Sequence, residues 1–315
     1  MTLKPLLFSS VTGAVLLLGG HVLATTAADD PVFSPALAEM NVRLREADIT
    51  NVAIGKAELL VHSTGAGEFA TTIIANDRTH LLADQFVEND PRRGGSPDIS
   101  YLIDQSDGSA LGFNAARAVI TLSNAITELQ LDLSVAAWNQ LTCNGPAFVK
   151  VPDTGADPDL VDGLVAGNPA LIGTPFADVT HAGWLPAAFF NALAPNGGTS
   201  FIAVTFTFIF VDDEGNPTDV DRNGRADVAF REIYYNRAFA WGTGGNPINV
   251  DIQTAAIHEF GHGLGLAHFG KLFIKNNGTF QFAPIARMNG GYTGEDRQLY
   301  GPDNAAFCHI WANKH

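Results

Sequence analysis

Length, composition and charge already exclude several classes of protein. The chain has 315 residues, 46% of them hydrophobic, and a formal net charge of −15 from 18 basic and 33 acidic residues. Its 21 Phe and 4 Trp supply more apolar surface than a disordered chain carries, so we expect a folded core. Because the balance is acidic and no basic cluster occurs, nucleic acid and anionic membrane surfaces are not expected partners.

Residues 1–28 have the pattern of a secretory signal peptide. Lys4 precedes an apolar stretch centred on residues 11–18, and small residues then allow cleavage after Ala24 or Ala28. An uncleaved membrane anchor is the alternative, although Ser and Thr within the stretch disfavour it. We therefore expect a protein that is secreted to the extracellular space or the periplasm, with no membrane partner after cleavage.

Export would place the only two cysteines, Cys143 and Cys308, in an oxidising compartment. They are a candidate disulfide between a mid-chain segment and the C-terminus. Two free buried thiols are the alternative, which the sequence leaves open.

Helix-like charge patterning marks the start of the mature chain, at residues 36–60, and a strand-like run follows at 71–74. Residues 88–97 are rich in Pro, Gly and charged residues and predict a boundary. We place an N-terminal pro-region or subdomain at residues 29–92 and a larger domain at 93–315.

The larger domain begins with predicted strands and helices in no strict alternation. In chain order we expect a strand at 99–103, a helix at about 115–140, a Gly/Pro/Asp-rich region at 143–175, an alternating strand at 201–211, a short strand at 233–236 and a helix beginning near Asp251. This order predicts an α+β fold.

The chemistry concentrates in residues 258–268, which read H-E-x-x-H-x-x-G-x-x-H. On a helix, His258 and His262 project from one face one turn apart, so both imidazoles reach one ion. Gly265 permits a sharp turn, which brings His268 in as a third ligand. Three neutral imidazoles leave one position of a tetrahedral zinc ion open, as in catalytic rather than structural sites.

Glu259 follows the first ligand directly and therefore lies beside the metal rather than on it. That is the position of a general base for an attacking water. The alternative is a zinc site that has lost catalysis and serves as a structural element.

This motif is the extended zinc signature of the metzincin peptidases, and the chain resembles their bacterial matrixin-like members over residues 98–315. The run Ala286-Arg287-Met288-Asn289-Gly290 is similar to their methionine turn, with Met288 as the hydrophobic base under the imidazoles. The resemblance implies a twisted five-stranded mixed sheet with an antiparallel edge strand, an active-site helix and a small C-terminal subdomain. By analogy residues 201–210 are that edge strand, whose free edge would bind an extended peptide, with an ordinary buried strand as the alternative.

Matrixins are often kept latent by a propeptide cysteine, and residues 91–98 (PRRGGSPD) are similar to that segment. Arg93 stands where the thiol would be, and an arginine cannot ligate zinc. A cysteine switch is therefore excluded there, and residues 29–92 are a prodomain of another kind, a folding aid or a permanent subdomain.

A second metal site is predicted at residues 219–227, which read D-x-D-x-N-G-x-x-D. Oxygen ligands that alternate around a Gly turn suit calcium, which gives a candidate structural Ca²⁺ site formed by Asp219, Asp221, Asn223 and Asp227. Phe230 stands where an EF-hand has its bidentate Glu, so a complete EF-hand is excluded, and a solvated acidic turn is the alternative.

The sequence therefore predicts a secreted zinc endopeptidase that acts on protein or peptide substrates, with Glu259 as the general base. Two other classes remain open: a non-catalytic secreted binding protein that keeps zinc as a structural element, and a zinc hydrolase of non-peptide amides or esters.

Overall fold

The structure is a computed structural model that describes residues 34–62, 84–104, 122–141, 143–277 and 279–311. The predicted signal peptide and the predicted strand at 71–74 lie outside the described residues. Among the residues that it does describe, no helix is both long and apolar enough to cross a membrane.

A seven-stranded mixed sheet forms the centre of the fold. In spatial order its strands are β11 (Gly291–Tyr292), β1 (Val52–His62), β5 (Phe201–Phe210), β6 (Val228–Asn236), β4 (Val179–Leu185), β2 (Ile99–Ile103) and β3 (Phe148–Val151). Strand β5 is antiparallel to both of its neighbours, and the other pairings in the sheet are parallel. Two small two-stranded sheets pair β7 (Trp241–Gly242) with β8 (Val250–Asp251) and β9 (Lys271–Ile274) with β10 (Phe280–Ala283).

Helices contribute to a hydrophobic core on each face of the sheet. One core includes side chains of α1 (Ser34–Glu46), α3 (Val161–Ala166) and α4 (Ala187–Leu193). The other includes side chains of α2 (Asn124–Trp138), α6 (Ile252–Gly263) and α7 (Gly301–Trp311). A one-turn helix, α5 (Gly197–Ser200), leads directly into β5.

The α+β class and the mixed sheet are confirmed, and several elements occur where the sequence predicts them. Strand β2 has the predicted bounds, α2 lies within the predicted helix, and β6 extends the short predicted strand toward its N-terminus. The helical expectation for residues 36–60 is half wrong, because only α1 is helical and β1 follows it. The expected count of five strands is wrong, because the N-terminal β1 and the two-residue β11 pair beyond β5; the other five strands have the order β5-β6-β4-β2-β3.

The prediction that β5 is an edge strand is wrong for the described chain. Its two faces alternate as expected, since Phe206, Phe208 and Phe210 join one core while Thr205 faces the helix α6. Its outer edge, however, is paired with β1 from Val52 to Val61. No free edge of β5 is left for strand addition in this state.

A bulge at Gly55 determines which side chains of β1 face α6. Ile54 pairs with Phe208, whereas Lys56 already pairs with Thr207, so Gly55 is an extra residue in β1. After the bulge, Lys56, Glu58 and Leu60 lie on the Thr205 side of the sheet, and the residues between them join the phenylalanine core.

The two cysteines form a disulfide, with 5.5 Å between the Cα atoms of Cys143 and Cys308. It links the segment after α2 to the C-terminal helix α7, across 165 residues of sequence. A disulfide is consistent with the extracellular or periplasmic location expected from the sequence.

Candidate metal centre

The helix α6 begins where the sequence predicts it, directly after Asp251. The side chain of Asp251 caps it by accepting a hydrogen bond from the Thr254 backbone N–H at 2.8 Å. Ile252, Ala255 and Ala256 are fully buried in the core on this face of the sheet. The helix is thereby fixed in place, with the motif residues on its second half.

The three predicted ligands converge on one point. The Nε2 atom of His262 lies 3.0 Å from that of His258 and 3.2 Å from that of His268. Gly265 adopts a φ of +90° at the predicted turn, which returns the chain so that His268 reaches the helix. The three side chains form a group that could hold a metal ion.

The hydrogen bonds on the far side of the rings favour a cation between them. Nδ1 of His258 lies 2.8 Å from the carbonyl oxygen of Arg287, and Nδ1 of His262 lies 2.8 Å from that of Leu266. A carbonyl only accepts, so each Nδ1 carries the proton and each Nε2 turns a lone pair toward the other imidazoles. Lone pairs this close repel one another unless a cation lies between them, so the donor set fits a metal ion.

The electrostatics of the three rings differ. Burial lowers the pKa of His258 well below its usual range and that of His268 to about 3, so both are neutral, the form that binds a metal. Burial acts in the same direction on His262, but the carboxylate of Glu58 outweighs it and raises the pKa of His262. Glu58 Oε2 lies 3.2 Å from His262 Nδ1, where a carboxylate strengthens a metal-binding imidazole.

Glu259 is held at the site by one hydrogen bond from β5. The hydroxyl of Thr205 donates to Glu259 Oε2 at 2.6 Å, while Oε1 is buried without a hydrogen-bond partner among the described residues. Burial raises the pKa of Glu259 to about 7, although the nearby His262 and the Thr205 hydroxyl lower it in part. A carboxylate with one oxygen fixed and the other unpaired has the form of a general base.

The methionine turn lies directly beneath the helix. Met288 is 2% exposed, and a Cβ added at Gly261 would come within 2.3 Å of its sulfur. The carboxylate of Asp303, from α7, accepts hydrogen bonds from the backbone N–H groups of Arg287 at 2.7 Å and Met288 at 3.1 Å. The turn is therefore fixed from below by α7 and packs closely against α6.

The centre is closed to solvent in this state. His258 and His262 are almost fully buried, Glu259 is 0% exposed, and His268 is 9% exposed. The strand β1 contributes to this closure, because Leu60 lines a small cavity together with His258, Ala286 and Tyr292.

The predicted calcium residues are close together in the loop after β5. Carboxylate oxygens of Asp219, Asp221 and Asp227 lie within 4.8 Å of one another. The Asn223 side-chain oxygen accepts a hydrogen bond from a backbone N–H, and Asp227 is already paired with Arg92 at 2.8 Å. Calcium binding here stays a prediction.

Arg93, which stands in place of a switch cysteine, has a structural role in the described chain. Its guanidinium pairs with Asp178 at 2.8 Å and donates to the carbonyl oxygens of Val87 and Asp98. The boundary run is thereby attached to the start of β4.

Sequence reasoning missed three residues that support the centre: Glu58, Thr205 and Asp303. None belongs to the motif, and each reaches it only through tertiary contacts. The alternation of β5, which puts Thr205 opposite the phenylalanines, was the one available signal. No protein-family model matches the chain, and a search of curated proteins found no similar protein.

Proposed function

We propose that the chain is a zinc-dependent endopeptidase. The observation that carries this proposal is the convergence of three imidazole Nε2 atoms next to a glutamate with one carboxylate oxygen that has no hydrogen-bond partner in the described part of the chain. Three neutral imidazoles favour zinc over harder cations, which prefer oxygen ligands. The candidate set is His258, His262 and His268, with Glu259 outside the ligand sphere.

The chain's own residues would divide the work of hydrolysis. Zinc, when bound, supplies Lewis acidity to the scissile carbonyl and to the attacking water. Glu259 takes a proton from that water as the new C–O bond forms, and passes it to the leaving nitrogen as the C–N bond breaks. Thr205 holds Oε2 of Glu259, so that Oε1 is the oxygen that accepts the proton.

The finer assignment to a matrixin-like metzincin belongs to the same proposal. It is supported by the spacing of the motif, by Met288 under Gly261 and by the five-strand array that remains without β1 and β11. Export through the N-terminal signal is proposed with it, and the disulfide is consistent with that route.

A non-catalytic zinc protein is the second candidate, and the burial of the centre favours it. Histidines that are at most 9% exposed can stabilise a fold through a metal without ever meeting a substrate. The two proposals differ in what Glu259 does, because a structural site has no use for a base.

Hydrolysis of casein by zinc-loaded protein tests the proposal. We expect cleavage that is lost on chelation, restored by zinc and at least about 100-fold lower in Glu259→Gln, the loss typical of a missing general base. Glu214→Gln, at an exposed glutamate remote from the motif, is the matched control and should cleave like the wild type. Equal cleavage by Glu259→Gln would refute the role of Glu259.

A further inference from the structure

The strand β1 occupies the edge where an extended peptide would add to the sheet. On one side it is antiparallel to β5, and at its end it is parallel to β11, with Val61 beside Gly291 and His62 beside Tyr292. Strand β11 directly follows the methionine turn. The strand β1 therefore lies between β11 and β5, the strand whose Thr205 holds Glu259. The Val61 backbone N–H donates to the carbonyl oxygen of Gly290 at 3.2 Å.

The side chains of β1 on the Thr205 side lie next to the histidines of the centre. Leu60 lines the cavity beside His258, and the Glu58 carboxylate lies 3.2 Å from Nδ1 of His262. Lys56, next along this face, has its Nζ 3.9 Å from Glu58 Oε1. A segment of the chain itself therefore packs against two of the three ligand side chains.

This face of β1 is unusual for a strand with only a packing role. Lys56 and Glu58 are 5% and 7% exposed, so two charged side chains are buried side by side. Desolvation of such a pair costs free energy that apolar side chains of similar size would not lose. The strand is therefore bound less tightly on this face than its burial suggests.

The rest of the sheet does not depend on β1 for its order. The array β5-β6-β4-β2-β3 is continuous without it, and all five strands follow the boundary run at residues 88–97. One contact does attach β1 to the rest of the fold. Leu59 packs in the core that contains the phenylalanines of β5 and side chains of α1. Removal of β1 would expose part of that core, so its release has a free-energy cost and is not spontaneous at high population.

We propose that β1 is an internal inhibitory strand: it occupies the edge of β5 beside the histidines, and the centre meets polypeptide only when β1 has left that edge. The proposal rests on the proposed peptidase function and adds a latency that needs no switch cysteine. It also accounts for a ligand set of catalytic type that is closed to solvent.

Two variants of the zinc-loaded full chain separate this role from general stability. Leu59→Ala weakens β1 from the face opposite the histidines, and Leu193→Ala removes an equally large buried side chain from α4. Zinc loss to excess dipicolinate and casein cleavage are measured for both. We expect Leu59→Ala to lose zinc at least about tenfold faster than Leu193→Ala, and to cleave casein faster by a similar factor. The reason is that only Leu59→Ala lowers the free energy needed to detach β1 from the sheet.

Hydrogen exchange on the unmodified protein gives a second test, which does not depend on either variant folding. We expect the amides of β1 to exchange through a lower-energy opening than those of β6, and zinc loss to follow that opening. Protection of β1 equal to that of β6, or equal zinc loss from the two variants, would overturn the proposal. Faster zinc loss from Leu59→Ala without casein cleavage would keep β1 as the strand that closes the centre, but would refute the peptidase and with it the inhibitory role.

Discussion

The disulfide makes a quantitative prediction about stability. Replacing both Cys143 and Cys308 by serine removes a crosslink that closes a loop across 165 residues. In the chain-entropy model this crosslink lowers the entropy of the unfolded chain by about 17 cal/mol/K, which is about 5 kcal/mol at 25 °C. The double variant should lose a large part of that free energy of unfolding.

The loss should be visible in unfolding both with and without zinc. Cys308 lies in α7, whose Asp303 holds the methionine turn and whose Trp311 indole donates to the carbonyl oxygen of Leu264 at 3.2 Å. Guanidinium unfolding of the wild type and the double variant, each with and without zinc, measures the difference. We expect a lower midpoint in both conditions, because the unfolded state of the variant is less constrained.

Reduced wild type is the control, since it removes the bond without changing the sequence. A free energy of unfolding within about 1 kcal/mol of the oxidised wild type, for both the variant and the reduced protein, would refute the loop-closure argument.

Three further predictions concern packing, pH and helix capping. Gly261→Ala should destabilise the fold by about 1–3 kcal/mol, because the added Cβ meets Met288 and Trp138. In a double-mutant cycle measured by thermal unfolding, Gly261→Ala should cost less in the Met288→Ala background than in the wild type. Burial raises the pKa of Glu232 to about 8, so the native state holds a proton that the unfolded state releases from about pH 4.5 upward. Stability should therefore fall between about pH 5 and 8, by up to about 1.4 kcal/mol per pH unit, and urea titrations of Glu232→Gln should show a smaller slope. Asp251→Ala should lose both the cap, worth about 1–2 kcal/mol, and the ion pair with Arg297, whereas Asp251→Asn should keep most of the cap and lose only the ion pair; equal losses in the two variants would contradict the capping role.

The sequence predicted the parts of the centre that are local in the chain. His258, His262 and Glu259 lie on one helix, and Gly265 turns the chain toward His268, so spacing alone was sufficient. The start of the helix near Asp251 followed from the same kind of short-range rule.

The parts that depend on distant pairing could not be predicted. In the sequence, the charged residues Lys56 and Glu58 look like part of the polar face of a helix. In the fold both residues lie on β1, and their side chains are on the same side of the sheet as the histidines. Pairing of β1 with β5 joins segments about 150 residues apart, and no local pattern encodes a partner. For this reason the free edge of β5 was predicted and its occupant was not.

The position of Gly55 decides where β1 absorbs one surplus residue. If Gly55 took a regular place opposite Thr207, Lys56 would pair with Phe206, Glu58 would pair with Val204, and Leu60 would turn to the opposite side. Deletion of Gly55 would instead make Ile54 and Lys56 neighbours and keep every pair on both sides of the bulge. The side chains of β1 that approach the histidines are therefore chosen by the bulge, which corrects the phase between the two halves of the strand.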